Sequence, residues 1–311
     1  MGSVIRLGLE TVHGTVAGSF TTVPCSFTGK LRQKNTIPSE ARAGQDVNFS
    51  VIPGLRNEEW EVNESPIYHD TFGLFLAMAF GTPTKVVVDT IFDNTFKLAD
   101  DPKSASIQWN QPHRSVQPFQ TLYNVVDELT IAFDVNGDLT FEASGVSMSE
   151  SNVAAPSYSF STARPFPGWA CAVTKAGAGY TKLLKGKIKV KRNRKAWRSF
   201  NNSQEPTKMT IGDRTVEFDL VVDFDATTDY AEWKAAGTTA LQLVFEDAGV
   251  VIGSASKPTL TLKMGTIAAE EDEIDVESDL PSLKIKGFAL YNSTDLSKIV
   301  AILRSSRDYT A

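Results

Sequence analysis

The chain has 311 residues, 41% hydrophobic and 22% charged, a globular composition that leaves room for two cores and excludes a disordered chain. Its net charge of −6, with a pI near 5.3, excludes a protein that grips nucleic acid over a broad basic face. Two distant cysteines, Cys25 and Cys171, and three scattered histidines, His13, His69 and His113, give neither a disulfide framework nor a metal-ligand spacing.

The first ten residues lack a basic stretch followed by an apolar one, and no run of about 18 apolar residues occurs, so neither a signal peptide nor a membrane span is expected. Residues 1–46 are rich in Gly, Thr and Ser, with a strand expected around Ser26 to Leu31 and a polar run from Arg32 to Gln45. Val47, Phe49 and Val51 alternate with polar residues up to the turn signal Pro53-Gly54, and Trp60 and Val62 predict a short strand. Ser65 as N-cap, Pro66 in the first turn and Gly81 as stop predict a helix over 66–80. Phe72, Phe75, Leu76, Ala79 and Phe80 form its apolar stripe.

Strands are expected at 86–89, 91–98 and 104–109. Leu129, Ile131, Phe133 and Val135 then alternate up to Asn136-Gly137, and Leu139, Phe141 and Ala143 alternate away, which predicts a hairpin closed by a tight two-residue turn. The Ser-, Pro- and Ala-rich stretch 147–168 reads as a linker between an N-terminal domain, 1–150, and a C-terminal domain, 169–311.

The second domain opens with a strand at 169–173 and a turn through Gly177 and Gly179, then enters a long hairpin from Leu184 to Phe224. Leu184, Ile188 and Val190 share one parity of its first arm, and Lys185, Lys187, Lys189 and Lys191 share the other. In the returning arm Val216, Phe218, Leu220, Val222 and Phe224 are apolar, opposite a face of Glu217, Asp219 and Asp223. Pairing of the arms sets lysines beside carboxylates, which specifies register more than it stabilises. The tip, 193–212, reads as a long irregular loop. Beside Arg192 it carries Arg194, Lys195, Trp197, Arg198 and Phe200, residue types that anchor protein interfaces and also stack on single-stranded nucleic acid. In an acidic chain, a subunit contact is the expected use.

A second helix is expected after Thr227 or Thr228, with Tyr230 and Trp233 on one face and Gly237 as stop. Strands follow at 241–245, 260–264, 283–285 and 299–303. The run Glu270, Glu271, Asp272, Glu273, Ile274, Asp275 continues to Asp279. It lacks the spaced ligands of a calcium loop, and reads as solvated surface or as the partner of the basic loop. The halves share an order of elements, strand to helix to Gly stop to strands, so the fold class is mainly β with one helix per half and a tandem duplication.

No nucleophile, base and orienter can be assembled from the histidines, and no phosphate-binding loop occurs, so no enzyme and no cofactor are expected. A β-sandwich module binding carbohydrate or protein through Trp109, Trp197 and Trp233 is the competing reading.

A set of diffuse patterns spread over most of the chain points elsewhere. They are Glu10-Thr-Val-His-Gly-Thr, Val23-Pro-Cys-Ser-Phe, Leu76-Ala-Met-Ala-Phe-Gly-Thr-Pro-Thr, Phe92-Asp-Asn-Thr-Phe-Lys-Leu and Ser104-Ala-Ser-Ile-Gln, followed by Leu122-Tyr-Asn-Val-Val-Asp-Glu-Leu-Thr-Ile with its Asn-Gly hairpin, and Trp169-Ala-Cys-Ala-Val. In number and order they resemble the tail tube proteins of long-tailed bacteriophages; the acidic segment 270–279 departs from that pattern. The resemblance implies a β-sandwich or split barrel with a flanking helix, in a virion protein that assembles in the host cytoplasm. It implies rings stacked into a hollow tube through which genomic DNA passes. The implied partners are the chain itself and the tail terminator, tape measure and distal tail proteins. Two tube domains per chain would need three copies per ring, and one would need six.

Overall fold

The computed structural model describes residues 3–33, 35, 40–42, 45–47, 51–110, 118–200, 203–210, 212–224, 231, 235, 237–275 and 281–310. Strand β1 (Ser3–Leu9) leads to β2 (Thr21–Gln33). A short hairpin, β3 (Glu40–Arg42) and β4 (Gln45–Val47), precedes β5 (Arg56–Pro66). Helix α1 (Phe72–Ala79) is followed by β6 (Thr84–Val88), β7 (Ile91–Lys97), β8 (Ala105–Asn110), β9 (Phe119–Asp134), β10 (Thr140–Ser147) and β11 (Ser149–Asn152).

The second half contains β12 (Cys171–Lys175), β13 (Ala178–Gly179), β14 (Leu183–Lys191), β15 (Lys195–Trp197), β16 (Lys208–Thr210) and β17 (Thr215–Asp223). It ends with β18 (Thr238–Glu246), β19 (Thr259–Asp275), β20 (Ser282–Ala289) and β21 (Val300–Ser305).

Antiparallel pairing runs β1–β2–β5–β10–β9–β8 and returns to β1, closing a six-stranded barrel. The second half repeats this order as β14–β17–β20–β19–β18–β12, and among the described residues its seam between β12 and β14 stays open. One irregularity fixes the correspondence. In β9 the residue bulged out opposite β10 is Asp127, between the pairs Ser144↔Glu128 and Gly145↔Val126. In β19 it is Glu270, between Lys286↔Glu271 and Gly287↔Ala269. Both bulges face a glycine, because a Cβ there would lie 2.0 Å from the carbonyl oxygen of Val125 or of Ala268.

The halves are joined by hydrogen-bonded strands. Strand β14 pairs with β9 from Lys185↔Asp134 to Lys191↔Glu128, which makes β2–β5–β10–β9–β14–β17–β20–β19 one continuous eight-strand ladder. Strand β7 pairs with β21, itself on β19, so a strand of the first half lies in the sheet of the second. The buried aliphatic and aromatic side chains of both halves form one cluster.

Several local signals give way to these contacts. The helix begins at Phe72 rather than at Pro66, since Ser65 and Pro66 pair with Phe141 and Thr140 at the end of β5. The Ser65 hydroxyl donates to the Asn63 carbonyl at 2.7 Å and accepts from the Ser26 N–H at 2.9 Å instead of capping a helix. Every residue of α1 is buried, and the chain leaves it through Gly81 at φ 134°. Asn136 and Gly137 do not adopt the positive φ of a two-residue hairpin turn. Residues 135–139 span the gap because other segments take their hydrogen bonds: Val135 N–H donates to Leu184 O, and Leu139 N–H to Phe166 O. The tip 193–212 is not wholly irregular either, since β15 and β16 pair over three residues each, too few to show a period in sequence. Likewise β1 lies in a stretch expected to hold only one strand; Ile5 and Leu7 are its buried positions. The second helix expected over 227–237, with Tyr230 and Trp233, lies outside the described residues except for Ala231, Ala235 and Gly237. The Ala235 N–H donates to Ala231 O at 3.0 Å.

Candidate functional site

One face of the eight-strand ladder is polar across its width. Residues directly opposite in antiparallel strands share a face, so the register reads off its rows. Thr28 lies opposite Glu61, Glu61 opposite Ser144, Ser144 opposite Glu128, and Glu128 opposite Lys191. Glu142 lies opposite Thr130, Thr130 opposite Lys189, and Lys189 opposite Glu217. Lys187 lies opposite Asp219, Asp219 opposite Lys286, and Lys286 opposite Glu271. From β14 to β19 the signs alternate, whereas β5, β10 and β9 present the carboxylates Glu61, Glu142 and Glu128. Ion pairs join Lys191 to Glu217 at 2.6 Å, Lys189 to Glu128 at 2.9 Å and Lys30 to Glu61 at 3.1 Å.

The lysines of the long hairpin therefore meet carboxylates on both neighbouring strands, β17 and β9. Of the three expected acidic partners, Glu217 and Asp219 lie opposite lysines, whereas Asp223 lies opposite Ser282. Of the acidic segment, Glu270 to Asp275 form the end of β19, and 276–279 lie outside the described residues. Lys284 on β20 lies opposite Glu273 of β19, with an N–O separation of 3.7 Å.

The two long hairpins, β2–β5 and β14–β17, carry extended tips that touch each other. Gln204 donates through its side chain to Gly54 O at 3.0 Å, Arg56 N–H donates to Gln204 O at 3.1 Å, and the Arg198 guanidinium reaches Arg56 O. Trp197, Phe200, Val51, Ile52 and Leu55 are exposed on these tips, and Lys208 lies 5.7 Å from the Trp197 ring centre. Lys195 is exposed as well.

Arg192 and Arg194 do not project with them. Arg192 is fully buried and donates to Ala99 O at 2.8 Å and Asp100 O at 3.2 Å; burial, with Arg194 and Arg214 nearby, pulls its pKa down to about 10. Arg194 is also buried, and its N–H donates to the Asp127 carboxylate at 2.5 Å. They turn inward because the Arg192 N–H binds Asp127 O at the bulge of β9, which draws the root of the tip onto the barrel.

Trp109 and Trp197, two of the three tryptophans of the competing reading, do not share a binding platform. Trp109 is buried between Phe27 and Phe119, Trp197 is on a hairpin tip, and Trp233 lies outside the described residues. Among the described residues no group of three His, Cys, Asp or Glu could hold a metal ion, and no helix is long and apolar enough to cross a membrane. Cys25 and Cys171 are free and half-buried, and burial pushes both thiols up, Cys171 to about 12.

Sequence reasoning missed Glu10 as a buried group. Its carboxylate accepts from Ser104 Oγ at 2.6 Å, Gly14 N at 2.7 Å, Ser106 Oγ at 2.9 Å and Tyr123 N at 3.0 Å, tying the loop after β1 to β8 and β9. A lone glutamate after an alternating strand gives no sign of this in sequence.

A closed six-stranded barrel, joined through one polar face to further strands that follow the same order, with projecting hairpin tips, defines a mainly β protein. Comparison with protein families matches residues 2–281 to the family described as phage tail tube protein, and the chain belongs to that family. Comparison with curated proteins finds no match. Membership makes the chain a structural component of a phage tail, and implies self-assembly into a tube and association with other tail proteins.

Proposed function

We propose that the chain carries two tube-like domains, that three copies close into a ring of six such domains, and that stacked rings form the channel through which genomic DNA is delivered to the host. The observation that carries this reading is the eight-strand polar face shared by the two halves. A surface whose hairpin lysines sit opposite carboxylates, on a chain of net charge −6, offers DNA no cluster of uncompensated cations, so phosphates slide past it rather than bind. Ring closure removes the free sheet edges that an isolated chain would expose. The tips of the two long hairpins, with Lys195, Trp197, Arg198 and Phe200 on one and Val51, Ile52 and Leu55 on the other, contact the next ring. Arg192 and Arg194 brace the root of the second tip. The tape measure protein occupies the channel during assembly in the host cytoplasm, and the terminator and distal tail proteins cap the two ends.

The tip residues supply the test. Trp197→Ser with Phe200→Ser leaves a folded protein that forms rings but not tubes, read by sedimentation and negative-stain microscopy. Tubes of normal length from this variant refute the stacking role.

A further inference from the structure

Two arginines at the root of the second tip are sealed inside the protein with hydrogen-bond donors unanswered. Arg192 is fully buried, and Arg194 is 5% exposed. Both are fixed through their backbone by Asp127, the residue bulged out of β9: Arg192 N–H donates to Asp127 O at 2.7 Å, and Arg194 N–H to Asp127 Oδ1 at 2.5 Å. A guanidinium carries one N–H bond on Nε and two on each Nη. Arg192 uses only Nη2, on Ala99 O and Asp100 O; its Nε and Nη1 are buried and meet no acceptor. In Arg194 the buried Nε and Nη2 meet none. Those two nitrogens form one edge of the guanidinium fork, the kind of edge that grips an anion through two parallel hydrogen bonds.

The nearby carboxylates are engaged elsewhere. Asp100 pairs with Arg214 at 2.8 Å, Asp101 lies 3.2 Å from His13 Nε2, and Asp127 Oδ1 takes the Arg194 N–H. Burial also pushes the Asp127 carboxyl up, toward its neutral form. Burial first, then the positive charges of Arg194 and Arg214, makes the Arg192 cation costly to hold. Unanswered donors on buried charges add to that cost. A water molecule offers two lone pairs and no charge, too little for the three N–H bonds that each guanidinium leaves over. A monatomic anion accepts from several N–H groups at once and supplies the missing charge.

We propose that Arg192 and Arg194 share a bound halide, chloride, where the root of the second tip folds onto the bulge of β9, with the Nε–Nη2 edge of Arg194 as its principal donor. The unpartnered nitrogens are closed to solvent, so the ion is enclosed as the chain folds, and a phosphate ester or a carboxylate of another protein does not reach it. The ion ties β9, the end of β14 and the loop after β7 together at the point where the tip leaves the barrel. The site is complete within one chain and needs no neighbouring copy.

Thermal unfolding below the concentration of assembly reads such an ion by linkage. Raising chloride from about 5 to about 150 mM, with ionic strength held constant by gluconate, is expected to raise the midpoint by about 4 °C. Bromide is expected to act as chloride does, and gluconate, too large for the closed site, to have no effect. Arg194→Met, similar in length but without the fork, is expected to lose most of this dependence. Lys195→Met, which removes an exposed cation at the next position, is expected to keep it. A parent midpoint that does not move with chloride, or an equal dependence in Arg194→Met, overturns the site and assigns the donors to buried water.

Anomalous scattering from crystals of the parent protein grown in bromide needs no variant to fold. A bromide peak within hydrogen-bond reach of Arg194 Nε and Nη2 is expected. Density there without an anomalous signal, or no density at all, overturns the assignment.

Discussion

Glu58 makes the stability of this protein depend on pH in a calculable direction. Its side chain on β5 is 5% exposed and accepts a hydrogen bond from Ser147 Oγ at 3.1 Å. Burial pushes the carboxyl up to about 7 from an ordinary 4.5; Glu150 and Glu205 add to the rise, and the Ser147 hydrogen bond and Arg56 oppose it. The folded protein therefore holds this proton more tightly than the unfolded chain does. Stability from this group is complete below about pH 4.5 and is lost as pH rises toward 7. The full shift corresponds to about 3 kcal/mol, and solvent screening at the edge of the strand reduces it to roughly 1–2 kcal/mol. Glu58→Gln keeps an acceptor for Ser147 and removes the buried charge. Urea unfolding at protein concentrations below assembly, at pH 4.5 and at pH 8.5, isolates the effect as a difference between variant and parent. The variant is expected to match the parent at the lower pH and to exceed it by about 1–2 kcal/mol at the higher. An equal difference at both pH values refutes the buried-charge reasoning.

Three further outcomes follow from the geometry. Gly145→Val and Gly287→Val each force a Cβ to within 2.0 Å of a backbone oxygen, so each is expected to cost 3 kcal/mol or more by urea unfolding, on the order of other overpacked cores; tolerance at either position contradicts the matched bulges. Glu10→Ala strips the acceptor from four donors and is expected to cost about 2–4 kcal/mol by the same measurement, and a loss under about 0.5 kcal/mol would mean that water replaces the carboxylate. Phage carrying Lys189→Gln, which removes one cation from the polar face, are expected to eject DNA within about twofold of the parent rate because Glu128 already neutralises that lysine; a change of tenfold would show that the lysine contacts DNA directly.

Much of the strand content is legible in the period of two. Ile188 and Val190 are buried, and Lys187 and Lys189 face carboxylates, as their alternation implies, whereas Leu184, of the same parity, is exposed at the end of the strand. The Gly81 stop is legible for a local reason, its positive φ. What sequence does not carry is set by distant partners. Ser65-Pro66 reads as a helix start until Phe141 and Thr140 claim it for a strand. Asn136-Gly137 reads as a tight turn until Leu184 and Phe166 take its neighbours' hydrogen bonds. Arg192 and Arg194 read as an exposed basic patch, and only the bulge at Asp127 turns them inward. The acidic run reads as solvated surface because the lysines opposite it, Lys284 and Lys286, lie across a connection whose strand register no short-range pattern reveals. The junction of β9 with β14, which joins the two halves, links residues more than fifty positions apart and has no local signal at all.

The central claim is that one chain contributes two tube-like domains to a ring. Negative-stain microscopy of the purified protein at rising concentration, with class averages of end-on particles, tests it most directly. Hollow rings of six lobes whose mass, by light scattering, equals three chains are the expected result. A monomer that persists at high concentration, or six-lobed rings with the mass of six chains, contradicts it.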